Sequence, residues 1–137
     1  MERSAEELLI FLFDEILPKH GMTLRMRQKE LSLEMLRALQ EGRLALCEAE
    51  VGTGKTHAYI LALAVHSLYS GKKAPAVIST STIALQKALT EEYIPQISGI
   101  LLEHHVIDRP LSFVVRKGKS IMSVILDWAY MRHPFKI

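Results

Sequence analysis

Ala49-Glu50-Val51-Gly52-Thr53-Gly54-Lys55-Thr56 decides how the rest of this chain is read. The stretch follows an apolar run, Leu44-Ala45-Leu46-Cys47, and precedes a helix-like segment from His57 to Leu68. Gly52 and Gly54 let the backbone turn tightly and aim its N–H groups inward. The helix behind the turn presents its positive dipole end to the same point. Lys55 then reaches the β- and γ-phosphates of a nucleoside triphosphate, and the Thr56 hydroxyl binds Mg²⁺. Ala49 stands where a first glycine is usual. Even so relaxed, the pattern has a chance of occurrence on the order of 1% over a chain of this length. The competing reading, a glycine-rich turn that binds nothing, leaves the Lys55-Thr56 pair without a purpose.

Working outward, 137 residues provide one domain's worth of chain, and 49% hydrophobic content supports a folded core. A net charge of +2 is compatible with nucleic acid without requiring it. The single cysteine, Cys47, excludes an internal disulfide and a cysteine-held cluster within this chain. The acidic start, Met1-Glu2-Arg3-Ser4-Ala5-Glu6-Glu7, does not suit a secretory leader. The apolar stretches Leu8–Phe13 and Ile60–Val65 are too short to span a bilayer. The expectation is a cytoplasmic protein with no membrane partner.

Ser4-x-x-Glu7 predicts a capping box opening a helix over residues 4–19, closed by Gly21. A second helix is expected from Arg25 to Gln40, closed by Gly42. Leu44–Glu48 reads as a first strand and Ala76–Ser79 as a second. Helices follow from Thr82 to Glu92 and from Pro95 to His104, then a strand at Ser112–Arg116, then a helix from Ser120 to Met131. Strands alternating with helices imply a parallel sheet with right-handed crossovers. His104-His105, with no cysteine or spaced carboxylates nearby, reads as a solvated loop pair. Arg116, Lys117 and Lys119 form a basic cluster, open to reading as a nucleic-acid path or as ordinary surface.

Three local signatures occur in one order. Arg25-x-x-Gln28 precedes the loop, Glu48-Ala49-x-x-Gly52-Thr53-Gly54-Lys55-Thr56 forms it, and Thr80-x-Thr82-x-x-Leu85-Gln86 follows the next strand. This order resembles the start of the first motor domain of a superfamily 2 helicase of the DinG/XPD type. The likeness covers most of residues 24–120. Val51 replaces the family's usual threonine, and Val114-Val115-Arg116-Lys117-Gly118-Lys119-Ser120 resembles the approach to its Lys-Gly-Lys/Arg-x-Asn-Tyr-x-Cys stretch. The resemblance implies an α/β fold: an incomplete RecA-like domain over 23–137, after an N-terminal helix within 1–22. It implies ATP and Mg²⁺ at Ala49, Glu50, Val51, Gly52, Thr53, Gly54, Lys55 and Thr56. Gln28 carries a donor and an acceptor that suit the adenine edge. Arg25 either flanks the nucleotide or pairs locally, and both residues also fit a solvated helix start. Thr80, Thr82 and Gln86 would touch the backbone of single-stranded DNA; short hydroxyls there suit a helix N-cap equally well.

The likeness departs from the family in two places. Ile121-Met122-Ser123-Val124 stand where iron–sulfur members place cysteines, so no such cluster is expected in this chain. No Asp-Glu-Ala-His is present, and the nearest acidic candidate, Asp127 in Val124-Ile125-Leu126-Asp127-Trp128, reads instead as part of an amphipathic helix. Hydrolysis needs such an acidic group and arginines from a second motor domain. The expected function is therefore ATP binding, as the N-terminal piece of a DNA helicase, with no convincing catalytic residue. The alternatives are a stand-alone, non-hydrolysing nucleotide-binding or regulatory module, and a structural remnant without activity.

Overall fold

Two helices laid side by side in the same direction set the frame of the first half of the molecule. The computed structural model describes residues 2–23, 25–50, 54–71, 75–118 and 122–127. These residues divide into two compact units, Met1–Gly71 and Lys72–Ile137. Among the described residues no helix is long and apolar enough to cross a membrane.

In the first unit, α1 (Ala5–Phe11) starts at the expected capping box, with Ser4 Oγ accepting from Glu7 N–H and Glu7 accepting from Ser4 N–H. The helix widens to a π-helical turn at Leu12–Ile16 and continues as α2 (Leu17–Lys19). The wide turn precedes Pro18, whose ring and missing N–H an ordinary α-turn accommodates poorly. α3 (Met26–Glu41) ends at Gly42 in the left-handed region, φ +66°. α4 (Lys55–Tyr69) begins at Gly54. α1 packs on both α3 and α4. Leu9, Leu12, Phe13, Leu36, Leu61 and Val65 are buried to 1% exposure or less, each worth about 1.5–3 kcal/mol of transfer free energy.

The run Leu44–Glu48, expected as the first strand, is not one. Residues 43–50 carry no regular secondary structure, and Leu44 and Leu46 are fully exposed, at 99% and 101%. The segment keeps a strand's alternation, with Ala45, Cys47 and Ala49 half-buried and their neighbours exposed. The alternating side chains satisfy one face of an extended chain, but no described strand accepts its backbone hydrogen bonds.

In the second unit, β1 (Ala76–Thr80) leads to α5 (Ile83–Ala88), a π-helical turn at Leu89–Tyr93 ahead of Pro95, and α6 (Ile94–Glu103). β2 (Ser112–Lys117) and β3 (Met122–Asp127) follow. The sheet order is β1-β3-β2, and both pairings are antiparallel. This corrects two expectations. The parallel sheet of a RecA-like domain is not formed by these strands, and the helix expected over 120–131 is a strand at Met122–Asp127. The reason is local. Val124 and Leu126 are buried while Ser123 and Ile125 are half-buried, a period of two. Lys117 pairs with Met122, so β2 meets β3 at short loop-closure cost. α5 packs on β1 and β3. The buried Ser98 Oγ accepts from Leu111 N–H at 2.9 Å, tying α6 to the entry of β2.

α3 and α4 are joined at a buried point where Ser32 Oγ donates to the Ala58 carbonyl at 2.7 Å. Ser32→Ala is expected to cost about 1 kcal/mol in urea denaturation of the whole chain, with the denaturant slope unchanged. A change within error of zero would show that the bond does not hold the pair together.

Candidate nucleotide-binding site

Gly54 lies at φ +82°, a left-handed backbone that glycine adopts without strain. Its carbonyl accepts twice, from Ala58 N–H at 3.3 Å inside α4 and from Gln28 Nε2 at 2.9 Å across from α3. One turn further along each helix, Ser32 donates to Ala58. A step of four on α3 thus matches a step of four on α4, about 6 Å on each. The two helices therefore run parallel, with their N-terminal ends together. Gln28 is 8% exposed and Ser32 fully buried, so the Ser32 bond lies out of water and the Gln28 bond is partly shielded from it.

Gln28 and Arg25, three residues apart on the sequence, converge on the same glycine. A Cβ on Gly54 would strike the Gln28 amide and come within 3.7 Å of Arg25 Nη1. Arg25 is the N-cap residue of α3, in extended conformation and exposed. The amide of Gln28 thus spends a donor on the loop's own backbone. Ser32 was not singled out from sequence, although its position four residues after Gln28 on the same helical face marked it.

Parallel helices require the chain to retrace its path between them. Residues 43–50 do this, and salt bridges mark both ends of the return. Arg43 donates to Glu34 and Glu41 near the end of α3, and Arg27 meets Glu50 at 3.4 Å near its start. The hydrogen bond from Arg43 holds the Glu34 carboxyl below its ordinary value. These groups keep much of their surface in water, so the pairs fix direction more than stability. Between return and helix lies an open groove of about 680 Å³, lined by Arg27, Glu30, Leu31, Glu48, Ala49 and Glu50.

Among the described residues, no side chain caps the head of α4. The first intrahelical bond is Ala58 N–H to Gly54, so the N–H groups of Lys55 and Thr56 precede the ladder and face out of the first turn. Lys55 is exposed and Thr56 half-buried. Ala49 and Glu50 lead into this point, while Val51, Gly52 and Thr53 lie outside the described residues.

The residues expected to meet nucleic acid lie in the second unit. Thr82 caps α5, its Oγ1 accepting from Leu85 N–H at 3.4 Å, and Thr80 Oγ1 accepts from Thr82 N–H at 3.2 Å. The cap reading is therefore realised at Thr82, with Thr80 bonded to the cap residue's own N–H. Gln86 is 7% exposed, with its Oε1 buried and without a hydrogen-bond partner among the described residues. Asp127 ends β3 opposite Ser112, and Leu126 beside it pairs with Ala76 at the start of β1. Antiparallel pairing thus places Asp127 at the other end of β1 from Thr80.

Over 99 residues, 72% of its length, the chain is 33% identical to a Mycobacterium tuberculosis H37Rv protein named ATP-dependent helicase DinG. Over 90 residues, 66% of its length, it is 37% identical to a Staphylococcus saprophyticus protein named 3'-5' exonuclease DinG. A Staphylococcus aureus protein of that second name is 34% identical over the same share. In sequence, this stretch is DinG-like. The matched segment spans 14% of the mycobacterial protein and 10% of the staphylococcal ones. No protein-family profile and no solved structure matches the chain.

Gly54→Ala is expected to lower stability by at least about 1 kcal/mol, from the left-handed backbone alone. Adding Gln28→Ala removes the side chain that the new Cβ strikes. The double variant in urea denaturation should then lose less than the two single losses summed. Strict additivity would show that Gln28 and Gly54 are not in contact.

Proposed function

We propose that the first unit binds Mg²⁺-ATP at the head of α4, as a nucleotide-binding segment of a DinG-like protein. The observation that carries this is the convergence of Arg25 and Gln28 on Gly54. Two signatures separated by 26 residues meet at the backbone of the loop that each was expected to serve. The uncapped first turn of α4 supplies N–H donors and the positive end of the helix dipole to the phosphates. Lys55 adds a mobile cation, and the Thr56 hydroxyl supplies a ligand for Mg²⁺.

The groove beside the loop has a different chemistry. Glu30, Glu48 and Glu50 line it with carboxylates, which repel phosphate. Sugar hydroxyls and an adenine amine are donors, and carboxylates accept from them. Leu31 offers an apolar contact for a ring face. The triphosphate therefore takes the helix head and the nucleoside takes the groove.

Binding without self-sufficient hydrolysis is the form of this reading that the structure favours. Asp127 lies at the far end of β1 from Thr80, so the acidic group and the strand-following motif do not share an edge of the sheet. The relatives point the same way. Similar segments occur in a protein named as a helicase and in proteins named as exonucleases. What two such proteins share is more readily a binding step than either reaction. A nucleic-acid partner, single-stranded DNA, completes the proposal.

Lys55→Ala is expected to abolish Mg²⁺-ATP binding in a calorimetric titration while leaving the denaturation midpoint in place, since Lys55 is exposed. Unchanged affinity would sink the reading. Turnover of ATP by this chain alone, stimulated by single-stranded DNA, would overturn its non-hydrolysing form.

A further inference from the structure

The exposed face of the three-stranded sheet carries two bands of opposite character, and we infer that it is a track for the phosphodiester backbone of a single-stranded nucleic acid. This rests on the nucleic-acid partner proposed above, and assigns the contact to residues other than Thr80 and Thr82. The register builds the first band. Ser79 on β1 and Arg116 on β2 both pair with Ser123 on β3, so the three side chains share one face in one row. Ser79 and Ser123 hydroxyls lie 3.1 Å apart, and Ser79 and Arg116 are exposed. The second band is the next row on that face, about 7 Å along the strands. There Val77 and Val114 flank Ile125, and both valines are 57% exposed.

Charge selects the occupant. Among the described arginines, Arg3 stacks on Phe11, Arg27, Arg37 and Arg43 pair with carboxylates, and Arg25 and Arg109 have partners. Arg116 has none. Within the three strands the only acidic residue is Asp127, at a same-face position of β3 one row beyond Ile125 and two rows from Ser123. Lys117 follows Arg116 and is also exposed. A row of two hydroxyls and an unpaired guanidinium, beside an apolar row, matches a chain whose anionic backbone runs alongside flat apolar bases. Neither row offers a set of donors and acceptors that reads base edges, so binding is tolerant of sequence.

The test is fluorescence anisotropy of a labelled twelve-nucleotide oligothymidine titrated with the whole chain, without any nucleotide, over a range of salt. Wild-type chain should bind with a negative salt slope. Arg116→Gln should weaken binding and flatten that slope by about 1, and Arg116→Lys should restore most of it. Lys19→Gln, an exposed change of equal charge in the first unit, should change neither. Wild-type binding with no effect of Arg116→Gln would overturn the track while leaving the nucleic-acid partner in place. No wild-type binding at low salt would overturn both. Displacement of the oligonucleotide by an equal charge of polyglutamate would also overturn the track, since it would mark a surface for acidic peptide.

Discussion

Gly54 stands at the head of α4 as bare backbone, with no side chain of its own to hold it in place. In this chain the hold comes from outside, through the amide of Gln28 on the carbonyl of Gly54. The bond requires a left-handed glycine, because any Cβ there would occupy the space of the Gln28 amide. It requires α3 to run parallel to α4, since Ser32 repeats the contact one turn on. Parallel helices in turn require the extended return of residues 43–50. The return brings Glu48, Ala49 and Glu50 along the first turns of α3 and so creates the groove. One hydrogen bond between a side chain and a loop thus fixes the geometry of most of the first unit.

The second unit is governed by strand direction. Both β1 and β2 run antiparallel to β3, and their C-terminal ends therefore come to one edge. That edge gathers Thr80 and Thr82 with Arg116 and Lys117, all polar or cationic. The opposite edge receives Asp127. The separation of cation from carboxylate follows from the pairing alone. Among the residues of the three strands, no acidic one lies at the Thr80 end.

The helices were legible in the sequence because their boundaries are chemical. Ser4 and Glu7 cap α1, Gly42 stops α3 in the left-handed region, and Thr82 caps α5. The meeting of Arg25, Gln28 and Gly54 was legible only as an order of motifs. That α3 runs beside α4 rests also on Ser32, marked in the sequence only by its spacing of four from Gln28. The strands were harder. Leu44–Cys47 is apolar enough for a core strand, yet a strand needs a neighbour, and none is formed with it among the described residues. Met122–Asp127 has apolar residues at spacings that fit a helix as well as a strand, and the adjacent β2 decided between them. Gln86 looked like a surface contact and is buried. The first turn of a six-residue helix carries no periodic signal strong enough to say which way that amide faces.

Backbone hydrogen exchange of the whole chain, read amide by amide with and without saturating Mg²⁺-ATP, tests the central claim most directly. The account predicts slower exchange at Gly54, Lys55 and Thr56 and along the start of α3 around Gln28, because the nucleotide and the Gln28 bond brace the same turn. The amides of α6 should exchange as before. Unchanged exchange at Gly54–Thr56 in the presence of nucleotide, or protection confined to residues away from α3 and α4, would contradict it.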